Sequence, residues 1–338
     1  MQNKIDFTLI SYKQLISTLQ TQSFFFQTFE GFIQNPEEKV LILRHDVDRL
    51  PENALVTAKI EEEVGIRSSY YFRTIPQTFK PEIIKEIADL GHEIGYHYEN
   101  LSAVHSRKYF RKLKVKSEKL EGDIYSEAIR DFERNLEKLR ELYPVRTICM
   151  HGSPLSKYDN KKLWEKYDYR DYGIIAEPYF DIDYNEVFYL SDTGRSWNNS
   201  DANVRDKVGK TEVGGQEKDR GQRSEVGGQK TPQGDGSLSP GLIRMNRMIP
   251  AGLDGRKKKE FRDLKIRDTN DLIKKIDNGE MPDKIMLNVH PQRWTDDYVP
   301  WVKELVVQNF KNIVKKCLIK FRDRSPQRHR GHREFLFF

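Results

Sequence analysis

The sequence predicts an α/β protein of repeated strand-helix units, either a barrel or an open parallel sheet, and three observations predict it. From Lys39 onward, short apolar runs of strand length alternate with amphipathic segments of helix length. Proline stands at first helical turns and glycine just past helix ends, so the units are punctuated where they should be. Four of the eight histidines end predicted strands, and an α/β barrel gathers its chemistry at the carboxyl ends of its strands.

Val40-Leu41-Ile42-Leu43 reads as a buried strand, and Pro51 to Val64 as a helix stopped by Gly65. Ser69 to Phe72 is a second strand. Pro81 to Leu90 is a second helix, closed by Gly91, and Glu93 to His97 is a third strand. The spacing then predicts a long charged helix over about Ser117 to Leu142, with Ile124, Ile129, Phe132, Leu136 and Leu139 as its apolar stripe. Three further strands follow, at Thr147 to His151, Val187 to Leu190 and Lys284 to Val289. An amphipathic helix from Val299 to Lys316 closes the pattern. Residues 1–38 are read as an N-terminal helical segment, 39–316 as the main domain and 317–338 as a basic, disordered tail.

The stretch from about 209 to 260 interrupts that domain. Glu212-Val213-Gly214-Gly215-Gln216 recurs as Glu225-Val226-Gly227-Gly228-Gln229, and so polar and glycine-rich a segment lacks the apolar surface to fold, which predicts a disordered loop insertion. The low hydrophobic share of 37% and mean hydropathy of -0.77 have the same origin.

A net charge of +6 invites a nucleic-acid reading. Residues 205–262, with 14 Lys/Arg against 8 Asp/Glu, and 320–338, with 6 against 2, hold more than that whole excess. The rest of the chain is mildly acidic, so a nucleic-acid partner is not expected. Two cysteines, Cys149 and Cys317, are too few for a disulfide framework or a thiolate zinc cluster. A bound metal must therefore use histidines and carboxylates. The first residues lack a secretory profile and no apolar run is long enough to cross a bilayer, so a cytoplasmic protein without membrane insertion is expected.

Side chains alternate along a strand, so in Arg44-His45-Asp46-Val47-Asp48 the two aspartates share one face. Adjacent carboxylates raise each other's pKa unless a cation lies between them or one serves as a base, which points to a metal site or general-base chemistry. The alternative for Asp48 is to cap the helix beginning at Pro51. In Gly91-His92-Glu93-Ile94-Gly95-Tyr96-His97-Tyr98-Glu99, His97 and Glu99 face one way and His92 the other. His92 is then structural, and His97 is either a neutral imidazole ligand for zinc or a similar divalent ion, or a buried hydrogen-bonded histidine. His151 in His151-Gly152-Ser153-Pro154 is a third ligand, a substrate contact or a turn histidine. His290 ends the strand carrying Met286 and Asn288, and either protonates a leaving amine or packs beside Trp294.

Together these segments resemble the polysaccharide deacetylase family, the fourth family of carbohydrate esterases, over roughly Lys39 to Lys316 without the insertion. The chain looks like a variant bacterial subfamily carrying the Arg-His-Asp-Val-Asp and His-Pro-Gln-Arg-Trp strings, the latter at His290 to Trp294. The resemblance implies a distorted, incomplete (β/α) barrel, with Asp46 as general base, Asp48 and His97 as metal ligands and His290 as catalytic acid. It departs at Leu101, where the family has its second metal histidine, so that His151 or Glu99 would replace that ligand. It departs again at His151 to Pro154, where the family carries the Arg-Pro motif that steadies the base. Asp192-Thr193-Gly194-Arg195-Ser196-Trp197 resembles the family's Asp/Trp segment and brings an arginine.

The expectation is a metal-dependent hydrolase removing an acyl group from an N-acetylated sugar. Arg195 and Glu99 would contact the substrate, and Trp197, Trp294 and Tyr96 would either stack on the sugar or belong to the core. A phosphoesterase on the same kind of barrel, and a sugar-binding protein that has lost its metal, are the rival expectations.

Overall fold

In the computed structural model, which describes residues 5–114, 124–153, 156, 158–197 and 264–323, seven parallel strands form one sheet. The chain runs α1 (Leu9–Thr21), β1 (Phe25–Gln27), α2 (Phe29–Gln34), β2 (Val40–Val47), α3 (Pro51–Glu63), β3 (Ser69–Phe72), α4 (Pro81–Asp89) and β4 (Glu93–Tyr98). It continues through α5 (Asn100–Lys114), α6 (Ile124–Arg140), β5 (Ile148–Met150), α7 (Pro178–Asp181), β6 (Phe188–Ser191), α8 (Thr269–Asp277), β7 (Lys284–Val289) and α9 (Tyr298–Asp323).

The strands lie in the order β5-β4-β3-β2-β7-β6, and β1 is added beside β2. β7 takes one edge of β2 from Val40 to His45. The other edge is shared in succession: β1 pairs with Val40 to Ile42, and β3 with Arg44 to Val47. The sheet curls into a half-barrel compatible with an incomplete (β/α) barrel. Its curvature shows in one contact. Asp46 on β2 and His97 on β4 are separated by β3, about 9.6 Å apart on a flat sheet, yet their ligand atoms come within 4.8 Å.

Alternation divides β2 between two environments. Val40 and Ile42 face the concave side with Tyr71, Cys149 and Met286, a small apolar plug completed by Phe29, Ala176, Ile182 and Val187. Leu41, Leu43 and Val47 face outward into two larger cores, one with α3 to α6 and one with α1 and α8. In the first, Phe132 of α6 is fully buried against the outward tyrosines of β4, so Phe132→Ala should cost about 3–5 kcal/mol. Gly95 is required by packing rather than by backbone angle, because a Cβ there would lie 2.2 Å from the Tyr71 ring on the concave side.

Most elements lie within a few residues of expectation, with three differences. The N-terminal segment is not only helical, since β1 joins the sheet. α5 was not foreseen, because among its described side chains the buried apolar ones are Leu101 and Val104, too few to register as a helical period. α9 runs on to Asp323, through residues assigned to the tail. The insertion at 209–260 and the tail beyond Asp323 lie outside the described residues. Among the described residues no helix is long and apolar enough to cross a membrane.

Candidate metal centre

Three side chains converge where β2, β4 and β5 end. His97 Nε2 lies 3.2 Å from His151 Nδ1, His151 Nδ1 lies 2.9 Å from Asp48 Oδ1, and His97 Nε2 lies 3.5 Å from Asp48 Oδ1. Ligand atoms on a tetrahedral zinc with bonds of about 2.0–2.1 Å stand roughly 3.3 Å apart, so this triangle fits one divalent ion. The tautomer fits as well. His97 Nδ1 lies 3.0 Å from the carbonyl of Cys149 and can only donate to it, which leaves the Nε2 lone pair directed at the triangle.

Unspent acceptors give a second indication. Oδ1 of Asp46, Oδ1 of Asn288 and Oε1 of Gln292 are all buried without a hydrogen-bond donor. Native interiors rarely leave such oxygens alone, and several together suit an ion or a polar substrate. These buried Asp, His and Cys groups could hold a metal ion, Asp48 with His97 and His151 or Asp46 with His97 and Cys149. The first set is the better one, because it gathers two imidazoles and a carboxylate without the buried thiol.

Asp46 is held from below by its own strand. Arg44, two residues earlier and on the same face, donates to Asp46 Oδ2 at 3.0 Å, and Asn288 of β7 donates to the same oxygen at 2.9 Å. Tyr189 of β6 accepts from both, at 3.3 and 3.1 Å. Burial alone would push the Asp46 carboxyl up, but Arg44, then His97 and His290, outweigh it and hold the pKa below the usual range. Asp48 is held well below its range despite burial, chiefly by His151 with help from His97. Burial would push the His97 imidazole down, but Asp46 and Asp48 carry it up. Two ionised carboxylates so close to two imidazoles make a place for positive charge.

Across the triangle stands His290, whose Nε2 lies 3.9 Å from Asp48 Oδ2. Its Nδ1 is bonded at 2.6 Å to Asp192 Oδ1, just after β6. Asp192 is wholly buried and also accepts from the His290 amide at 3.0 Å, from the Trp294 indole at 2.8 Å and from Arg293. Burial works against its charge, but Arg293 and His290 prevail and its pKa falls to about 2. A permanent carboxylate on Nδ1 fixes the imidazole so that Nε2 faces the triangle.

Several expectations need correction. Asp48 does not cap α3, whose N-cap is Leu50 and has no side-chain bond. Trp197 and Trp294 are core residues with their indole N–H groups bonded to Thr269 and Asp192, so neither ring is open to a sugar. Tyr96 is likewise buried on the outward face, bonded to Asn100. Arg195 donates to the carbonyls of Arg293 and Asp6 and lies over Phe7 and Trp301, and therefore does not take over the steadying of Asp46. Arg44 does that instead. Glu99 stands at the rim, bonded by Arg73 at 2.6 Å, while Arg73 also reaches the Asp48 carbonyl, so Glu99 is outside the ligand triangle. His92 is structural, as expected.

Sequence reasoning overlooked Arg44 and Gln292. The signal for Arg44 was the same two-residue alternation that paired the aspartates. Gln292 donates to Asp48 Oδ2 at 3.3 Å from a short 3-10 turn, Pro291–Arg293, and the only sequence signal for it was its place inside the His290 to Trp294 string. No family model, no curated protein and no solved structure matches the chain.

Proposed function

We propose that this protein is a divalent-metal-dependent hydrolase of the polysaccharide deacetylase type, removing an acyl group, an acetyl group foremost, from the nitrogen of an amino sugar. One observation carries the reading: an ionised carboxylate with a free oxygen, Asp46, and an aspartate-held histidine, His290, face the same ligand triangle. An amide hydrolase needs those two proton-handling groups. Zinc or a similar divalent ion bound by Asp48, His97 and His151 would supply polarisation of the amide carbonyl and a lowered pKa for water.

The chain's own residues do the rest. Asp46 Oδ1, which has no donor, takes the proton of the attacking water, while Arg44 and Asn288 hold Oδ2 and keep the carboxylate oriented. His290 Nε2–H delivers a proton to the departing nitrogen, and Asp192 on Nδ1 stabilises the imidazolium before that transfer. A C–O bond forms, the C–N bond breaks, and a carboxylate and an amine leave. The sugar is supported by the motifs at Arg44 to Asp48, Gly91 to His97 and Leu287 to His290. A phosphoesterase finds less support, because Arg44, Arg73 and Arg293 are each committed to a carboxylate rather than open as a phosphate clamp.

The test is acetate release from free, oligomeric and lipid- or nucleotide-linked N-acetylated sugars, with purified protein supplied with zinc or another divalent ion. Metal-dependent release is the expected result. Stoichiometric metal with no release from any of them, alongside hydrolysis of an aryl phosphate, would overturn the assignment.

A further inference from the structure

Side chains two residues apart share a face of a strand, so a ligand at a strand end has a companion one step further down the half-barrel. Two of these companions carry ligand atoms of their own. Asp46 lies two residues before Asp48, and Cys149 two residues before His151. Asp48 and His151 stand just beyond β2 and β5, while Asp46 and Cys149 lie within those strands. Cys149 pairs in register with His97 and faces the concave side among Val40, Ile42 and Met286. His97 therefore stands between an upper tier, Asp48 with His151, and a lower one, Asp46 with Cys149.

In the lower tier a carboxylate oxygen of Asp46, a ring nitrogen of His97 and the Cys149 sulfur lie within 4.8 Å of one another. A separate observation points to a ligand there. Asp46 Oδ1 is buried without a donor, since Arg44 and Asn288 both take Oδ2. His97 Nδ1 is committed to the Cys149 carbonyl, so Nε2 is the nitrogen it can offer to either tier. One nitrogen holds one ion, and the tiers exclude each other.

Their donor sets differ in softness. Two imidazoles and a carboxylate suit zinc and its harder neighbours, whereas a thiolate draws a softer ion. Cys149 is wholly buried, which disfavours a bare thiolate, but a coordinated ion removes the thiol proton to solvent. We propose that Asp46, His97 and Cys149 form a second metal position, one step below the first, that takes a soft divalent ion such as cadmium and empties the upper one. Occupation also takes Asp46 Oδ1, so the ion would silence the hydrolase proposed above. The binding itself does not depend on that reading.

The test is cadmium titration of the metal-free full chain carrying Cys317→Ser, read by thiolate-to-cadmium charge transfer in the ultraviolet. The band should grow until each chain holds one ion, and a chain first loaded with zinc should release one zinc, seen with a zinc-sensitive dye, for each cadmium bound. Adding Cys149→Ser should remove the band and lower cadmium affinity roughly tenfold or more. His151→Ala should do the opposite, lowering zinc affinity by a similar factor and leaving the cadmium band in place. That variant decides the question if the serine variant does not fold. No band at saturating cadmium, a band that survives Cys149→Ser, or a band lost with His151→Ala overturns the proposal. Cadmium bound without release of zinc overturns it as well, because the tiers would then fill independently. A chain that shows the band but releases no acetate from any sugar would lose the hydrolase reading and keep the lower position.

Discussion

Two buried polar clusters lie back to back on β2, and they are made of the same residue types. On the outward side Glu61 of α3 accepts from the Tyr12 hydroxyl at 2.5 Å, the His45 imidazole at 2.8 Å, the Tyr70 hydroxyl at 3.0 Å and the Ser68 hydroxyl. His92 completes it, bonded to Ser68 and to the Ala58 carbonyl. On the concave side stand Asp46, Asp48, His97, His151 and His290. Both oxygens of Glu61 are taken, whereas Asp46 keeps Oδ1 free. Residue type does not separate a structural cluster from a functional one. Saturation of the carboxylate does, because a carboxylate whose oxygens are already bonded has nothing left for a ligand.

That contrast can be broken by experiment. The largest effect is expected from Asp46→Asn, which should lower turnover by about 10²–10⁴-fold in steady-state assays of metal-loaded protein. A loss under tenfold would remove Asp46 as the base. Next, His97→Ala should reduce divalent metal by elemental analysis from near one equivalent to background, while the chain still melts cooperatively. Metal retained in that variant would place the ion elsewhere.

Glu61→Gln should do the opposite, leaving metal per folded protein unchanged while stability falls. Burial pushes the Glu61 carboxyl up, but His45, then His92 and Ser68, bring it from its ordinary 4.5 down to about 2. A depressed carboxyl stabilises the fold above its unfolded pKa, and the contribution is lost as pH falls from about 4.5 towards 2. The shift corresponds to roughly 3 kcal/mol, so denaturant curves at pH 7 should differ by about that amount and converge near pH 2. Equal stability at pH 7 would mean that the outward cluster contributes nothing. The smallest effect is expected from Gln292→Ala, which should weaken metal affinity by about tenfold in a chelator competition with little change in melting temperature.

The legible part of the fold was whatever depends on period. β2, β3, β4 and β7 were marked by apolar runs between proline and glycine signals. The alternation that put Asp46 with Asp48 and His97 apart from His92 holds in the structure. Direction was not legible. A tryptophan beyond a strand end looks the same in sequence whether its ring meets a sugar or, as at Trp294, the core. The stripe on α9 was readable as a stripe, but the period does not say which way it turns. Nor does sequence place a loop residue such as Gln292, whose approach to Asp48 depends on how β7 sits against β2.

The eight residues of β2 also bear on how the chain finds its register. Sliding the strand by one position in one direction would set the Asp46 carboxylate against Glu61, and a slip in either direction would take His45 away from Glu61 and Asp46 away from Asn288, leaving buried charges without their partners. A purely apolar strand pays much less for the same slip. Polar groups on the two faces of β2 thus act as a proofreading device during folding, rejecting the nearest wrong alignment before any site has formed.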